Sequence, residues 1–160
     1  MLAPLYLDAE GVLHAVFTKR RDDLRRHPGE ISFPGGRRDP EDQDLTATAL
    51  REAHEEIGLP ADAVQIVGAL PPTPTFVTSY AVYPFVGIID PGFAWTVADA
   101  EVEAVLELPL DAIRAGHGRQ RLMRRGVPFR MDSYQVGDHF IWGATARMVA
   151  DLLKRLDSLS

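Results

Sequence analysis

Arg51-Glu52-Ala53-His54-Glu55-Glu56-Ile57-Gly58 is the stretch on which the reading of this chain turns. The pattern is helical from about Asp44 to Ile57, with Gly58 and then Pro60 placed to stop it and Asp42 or Asp44 placed to cap its start. On such a helix Glu52, Glu55 and Glu56 stand at i, i+3 and i+4 and share one face. Leu50, Ala53 and Ile57 occupy another face, which can pack on a sheet. Three adjacent carboxylates repel one another, and a hard divalent cation offsets that repulsion through oxygen ligands. Arg51 precedes Glu55 by four residues and can brace it. The same residues also fit a solvated, charge-rich helix face. A zinc-protease reading of His54-Glu55 fails, because Gly58 stands where the second histidine is needed.

Upstream, Pro34-Gly35-Gly36 ends a short strand, Glu30-Ile31-Ser32-Phe33, and lets the backbone approach a ligand closely. Leu2–Leu7 and Val12–Thr18 read as a hairpin about a Gly-containing turn. Downstream, Val64–Leu70 reads as a strand, Pro71–Thr75 as a stiff loop, and Ala81–Ile89 as one apolar strand. Val102–Leu108 is a further strand and Leu110–Ala115 a short helix closed by Gly116. Strands are expected around Arg121 and over Phe129–Val136. Gly143–Leu156 is an amphipathic helix, with Trp142 expected to anchor it in the core. Strands and helices mix without a regular parallel rhythm, so an α+β fold is expected, an α/β/α sandwich with a mixed sheet between helices.

With 160 residues, 46% hydrophobic and 25% charged, the chain suits one globular domain spanning residues 1–160. The net charge of −6 argues against nucleic acid as partner, whereas the local basic runs Lys19–Arg38 and Arg119–Arg125 suit a small polyanion. The chain has no cysteine, which excludes disulfides, thiolate zinc sites and a cysteine nucleophile. No segment approaches the length of a membrane span, and Met1–Asp8 has no signal-peptide pattern, so a cytoplasmic location and no membrane partner are expected.

Gly36, Arg51-Glu52-Ala53-His54-Glu55-Glu56, Gly58 and Leu59 together resemble the Nudix box, G-x5-E-x7-R-E-U-x-E-E-x-G-U with U aliphatic. Two departures stand out: Asp42 occupies the upstream Glu position, and one extra residue precedes Arg51. A second block, Val16-Phe17-Thr18-Lys19-Arg20-Arg21 followed by Arg25, Gly29 and Phe33-Pro34-Gly35-Gly36, is similar to the signature of the coenzyme A pyrophosphatase subfamily. Pro84–Gly87 and Ile141–Ala146 are similar to its later segments.

The resemblance implies a Nudix-type sandwich and hydrolysis of a pyrophosphate bond with Mg²⁺ or Mn²⁺. Glu52, Glu55 and Glu56 would hold the cation with the Gly36 carbonyl, and Arg51 would complete the catalytic set. Glu52 is a ligand or the general base, and Glu101 and Glu103 are candidates for a base supplied from a distant loop. Arg20, Arg25, Arg26 and Gly35 would meet the substrate, a small nucleotide derivative with coenzyme A favoured. Phe76, Tyr80 and Tyr83 are candidates to flank its adenine or pantetheine. Other Nudix substrates, such as ADP-ribose, and a non-catalytic nucleotide-binding Nudix domain are the alternatives. A homodimer is left open.

Overall fold

The computed structural model describes residues 1–25, 27–75 and 80–160, so Arg26 and Phe76 lie outside the described residues. Strands β1 (Leu2–Leu7), β2 (Leu13–Arg20) and β3 (Ile31–Ser32) lead into helix α1 (Leu45–Ile57). Then come β4 (Gln65–Ala69), β5 (Thr73–Pro74), β6 (Ala81–Val82), β7 (Phe85–Ile88), β8 (Val102–Pro109) and helix α2 (Leu110–Ala115). The chain closes with β9 (His117–Arg124), β10 (Val127–Val136), β11 (His139–Ile141) and helix α3 (Gly143–Asp157).

The main sheet runs β3-β2-β1-β7-β4, with β8 also on β2. It is mixed: β1 lies parallel to β7, and its other pairings are antiparallel. β1 pairs with the first half of β2, through Leu13 to Ala15, and β3 with its second half, at Thr18 and Lys19. The backbone bond from Leu2 N–H to the Pro34 carbonyl (2.8 Å) ties the start of β1 to the turn after β3. That junction sends residues 34–36 out of the sheet toward α1.

Strand alternation sorts the core into two layers. Leu2, Tyr6 and Val16 meet Ala49, Ala53 and Ile57 of α1 on one face. Ala3, Leu5, Ala15 and Phe17 belong with Met148, Val149, Leu152 and Leu153 of α3 on the other. The result is the expected sandwich of helices about a mixed sheet. The hairpin β9–β10 with β11 forms a separate three-stranded sheet.

Three expectations need correction. The apolar run Ala81–Ile89 is not one strand: it breaks at Tyr83-Pro84, where proline cannot donate to a ladder. The loop Pro71–Thr75 contains β5, which pairs with β6. Trp142 does not anchor α3 in the core. It is 45% exposed, because alternation turns the neighbouring Ile141 inward and Trp142 outward. Among the described residues, no helix is long and apolar enough to cross a membrane.

Candidate active site

Helix α1 is defined at both ends by its sequence. The Asp44 carboxylate accepts from the Ala47 amide at 2.7 Å, and Gly58 takes the left-handed conformation (φ 71°) that lets its N–H reach the His54 carbonyl. With Ala49, Ala53 and Ile57 fixed against the sheet, Glu52, Glu55 and Glu56 are carried together on the other side of the helix.

Arg51 organises this face. Its Nε and Nη2 donate to the two oxygens of Asp42 at 2.9 and 3.0 Å, a bidentate pair. Nη1 donates to Glu52 at 3.2 Å and to Glu55 at 3.1 Å, and Nη2 also reaches the Arg37 carbonyl at 3.0 Å. The expected brace on Glu55 is therefore present, and the position of Asp42 is resolved. Asp42 is buried and also accepts from the Asp39 amide and the Thr48 hydroxyl. These donors, Arg51 first, hold its carboxyl well below the usual range. Asp is shorter than the Glu of the family pattern. A turn closed by the bond from Asp42 N–H to the Asp39 carbonyl precedes the helix, and the shorter side chain still meets Arg51.

The carboxylates differ in environment. Glu55 is 56% exposed, Glu52 only 17% and Glu56 half-buried. Burial pushes Glu56 up to about 7; the Gly35 N–H, donating at 3.1 Å, opposes the shift and the Glu52 charge adds to it. Burial also raises Glu52, with Arg51 opposing. Close backbone approach explains both glycines. A Cβ on Gly36 would collide with the Glu52 carboxylate, and one on Gly35 would fall 2.6 Å from the Met1 Cα.

Two further groups arrive from β2 and from the loop before β8. Arg20 has a buried Nε without a hydrogen-bond partner among the described residues, and its Nη1 lies 3.8 Å from Glu101. The charges of both Arg20 and Glu101 act on Glu56. Backbone bonds bring this loop to the helix end: Thr96 N–H to the Ile57 carbonyl, Ala98 N–H to the Glu56 carbonyl, and Arg21 N–H to the Glu101 carbonyl. Glu103 instead pairs with Lys19 at 3.2 Å. Arg25 is exposed in the loop between β2 and β3. In that loop His27 pairs with Glu30 at 2.7 Å. Tyr80 and Tyr83 are both exposed, with the Arg37 guanidinium over the Tyr80 ring. The sequence placed Arg37 only within the basic run Lys19–Arg38, with no pairing to Tyr80.

Among the described residues no three acidic or histidine side chains close into a finished metal cage. Arg51 holds Glu52 and Glu55, and the Gly35 amide holds Glu56. The donor set nevertheless fits a hard dication. It consists of oxygens, it concentrates negative charge where burial already penalises it, and Gly36, lacking a Cβ, lets its backbone come up against the Glu52 carboxylate.

The sequence profile of the NUDIX domain matches residues 4–126. The chain is 42% identical over 139 residues to the uncharacterized Nudix hydrolase NudL of Enterobacter sp. (strain 638), covering 86% of this chain and 72% of that protein. It is 41% identical over the same length to NudL of Salmonella paratyphi B. Among solved structures, a C. elegans Ap4A hydrolase binary complex superposes with a TM-score of 0.65 at 16% identity, over 99% of this chain and 95% of that one. The NUDIX domain of Shewanella oneidensis NrtR, complexed with ADP ribose, gives 0.60 at 14% identity, over 97% and 84%. The structural likenesses establish the fold; the profile and the sequence relatives establish that the chain belongs to the Nudix hydrolase family, whose chemistry is the hydrolysis of pyrophosphate bonds.

Proposed function

We propose that the chain is a divalent-cation-dependent coenzyme A pyrophosphatase, splitting coenzyme A or its derivatives into 3′,5′-ADP and 4′-phosphopantetheine. The observation that carries the reading is the path of the block from Thr18 to Gly36. It runs along β2, returns through β3 and brings Arg20 and Gly36 to the carboxylate face of α1. This is the block whose residues resemble the coenzyme A subfamily.

In this reading Glu52, Glu55 and Glu56, with the Gly36 carbonyl, would hold Mg²⁺ or Mn²⁺. When bound, the cation would supply neutralisation of phosphoryl charge and a more acidic water. Arg51 and Asp42 position the carboxylates rather than touch substrate. Arg20 lies on the Glu56 side of the site and pairs with a phosphate oxygen of the diphosphate. Arg25, exposed in the loop that follows β2, meets a peripheral phosphate. Glu101, tied to the end of α1 through its loop, is the candidate to accept a proton from the attacking water. The water oxygen bonds to one phosphorus as the bridging P–O bond breaks, and the other phosphate departs with the bridging oxygen. Glu103, engaged by Lys19, is the weaker candidate for the base.

Product analysis over a panel of coenzyme A, ADP-ribose, diadenosine polyphosphates and nucleoside triphosphates tests the assignment. The expected result is 3′,5′-ADP and 4′-phosphopantetheine from coenzyme A with the highest kcat/KM. A higher kcat/KM for ADP-ribose would replace it with the second reading, to which the ADP-ribose complex of the NrtR domain lends support.

A further inference from the structure

Arg37 is the first residue after Gly36, and its carbonyl accepts from Arg51 Nη2 at 3.0 Å. Its backbone is thereby fixed to the residue that holds Glu52 and Glu55. Its guanidinium does not join that network. It lies over the ring of Tyr80, with the guanidinium carbon 5.2 Å from the ring centroid. The backbone of Tyr80 is equally fixed. Its carbonyl accepts from the amide and hydroxyl of Thr75, at 3.1 and 2.9 Å, and Ala81 next to it pairs with Pro74. The chain then continues to Phe85, whose N–H donates to the carbonyl of Met1, the residue packed against Gly35.

Two planar groups on hydrogen-bonded backbone thus stand together, Arg37 next to the residue that holds the carboxylate face and Tyr80 against Arg37. Neither belongs to a hydrophobic cluster, and Tyr80 is 62% exposed. An exposed cation–π pair is weakly held and contributes little to the fold. A broad aromatic face kept in solvent next to a diphosphate site is a stacking platform.

We propose that Tyr80 and Arg37 form the nucleobase clamp of this enzyme: a purine attached to the diphosphate stacks on the Tyr80 ring, and the Arg37 guanidinium closes over its other face. The gap between them is too narrow for a base, so Arg37 swings off the ring as the base enters. The clamp rests on the carboxylate face of α1 being the diphosphate site, and it applies to any purine nucleoside diphosphate derivative, whichever second half the substrate carries.

The test is a calorimetric titration of ADP and of inorganic pyrophosphate, both with Mg²⁺, into wild type, Tyr80→Ala, Tyr80→Phe and Arg37→Ala. The two probes share a diphosphate and differ by the adenosine. Tyr80→Ala is expected to weaken ADP about tenfold to a hundredfold while pyrophosphate binds as before. Tyr80→Phe, which keeps the face, retains ADP affinity within about twofold, and Arg37→Ala loses a smaller factor than Tyr80→Ala. Because Tyr80 is exposed, melting curves of the variants should coincide with wild type. Unchanged ADP affinity in Tyr80→Ala overturns the clamp, as does an equal loss for both probes or a wild type that binds ADP no more tightly than pyrophosphate. Neither probe needs turnover, so a failure to split coenzyme A would overturn the substrate assignment and leave this titration intact.

Discussion

Glu56→Gln separates the cost of the carboxylate face from its use. Burial lifts the Glu56 carboxyl from 4.5 to about 7, so the folded protein holds that proton more tightly than the unfolded chain does. Stability therefore falls as pH rises through this window, and at pH 8 the ionised group costs about 3 kcal/mol in the metal-free protein. Glutamine keeps the shape and an oxygen to accept from the Gly35 amide, but carries no charge. The variant should be more stable than wild type by about 2–3 kcal/mol at pH 8 in chelator, and the two should converge near pH 4. At roughly 2–4 °C per kcal/mol for a chain of this size, the difference is readable in thermal melts. Adding Mg²⁺ should raise the wild type, by about 2.7 kcal/mol at a hundredfold excess over Kd, and raise the variant little. Turnover should be abolished. A variant no more stable than wild type at pH 8 in chelator, or protected equally by Mg²⁺, would refute the reasoning.

Asp42→Asn should remove the bidentate partner of Arg51. The stability that Asp42 lends is full above its ordinary 3.8 and lost as pH falls below it, so the variant should show a flatter acid limb in pH-dependent melts, with reduced kcat. Arg20→Ala should raise KM for the diphosphate substrate about tenfold to a hundredfold with less effect on kcat, measured by steady-state kinetics at saturating Mg²⁺. Glu101→Gln should lower kcat about a hundredfold and alter the pH–rate profile, whereas Glu103→Gln should stay within about threefold of wild type. Equal effects of the two would remove the distinction drawn from the Lys19 pair.

The helix and its carboxylate face were legible because their signals are local. Asp44, the apolar spacing of Ala49, Ala53 and Ile57, and Gly58 define the helix within one short window, and the glutamates' shared face follows from 100° per residue. The sandwich was legible for a similar reason: mixed elements without parallel rhythm leave few layerings. Contacts between distant segments were not. Nothing in residues 96–101 announces that Thr96 and Ala98 bond to the end of α1 and thereby carry Glu101 toward Glu56. The pairing of Asp42 with Arg51 was obscured by the one-residue change in spacing, which a loop absorbs at little cost. Trp142 was misplaced because hydrophobicity predicts burial only on average, and alternation gave the inward position to Ile141. Tyr83-Pro84 interrupts an apolar run that periodicity alone reads as continuous.

The proposed function requires one surface of α1 to grip a hard cation against a diphosphate. Anomalous diffraction from crystals soaked in Mn²⁺ and ADP tests this most directly. Manganese is expected on the oxygens of Glu52, Glu55 and Glu56 with the Gly36 carbonyl, and the diphosphate between the ion and Arg20. Manganese bound elsewhere, with those glutamates still turned to Arg51 and the Gly35 amide, would contradict it.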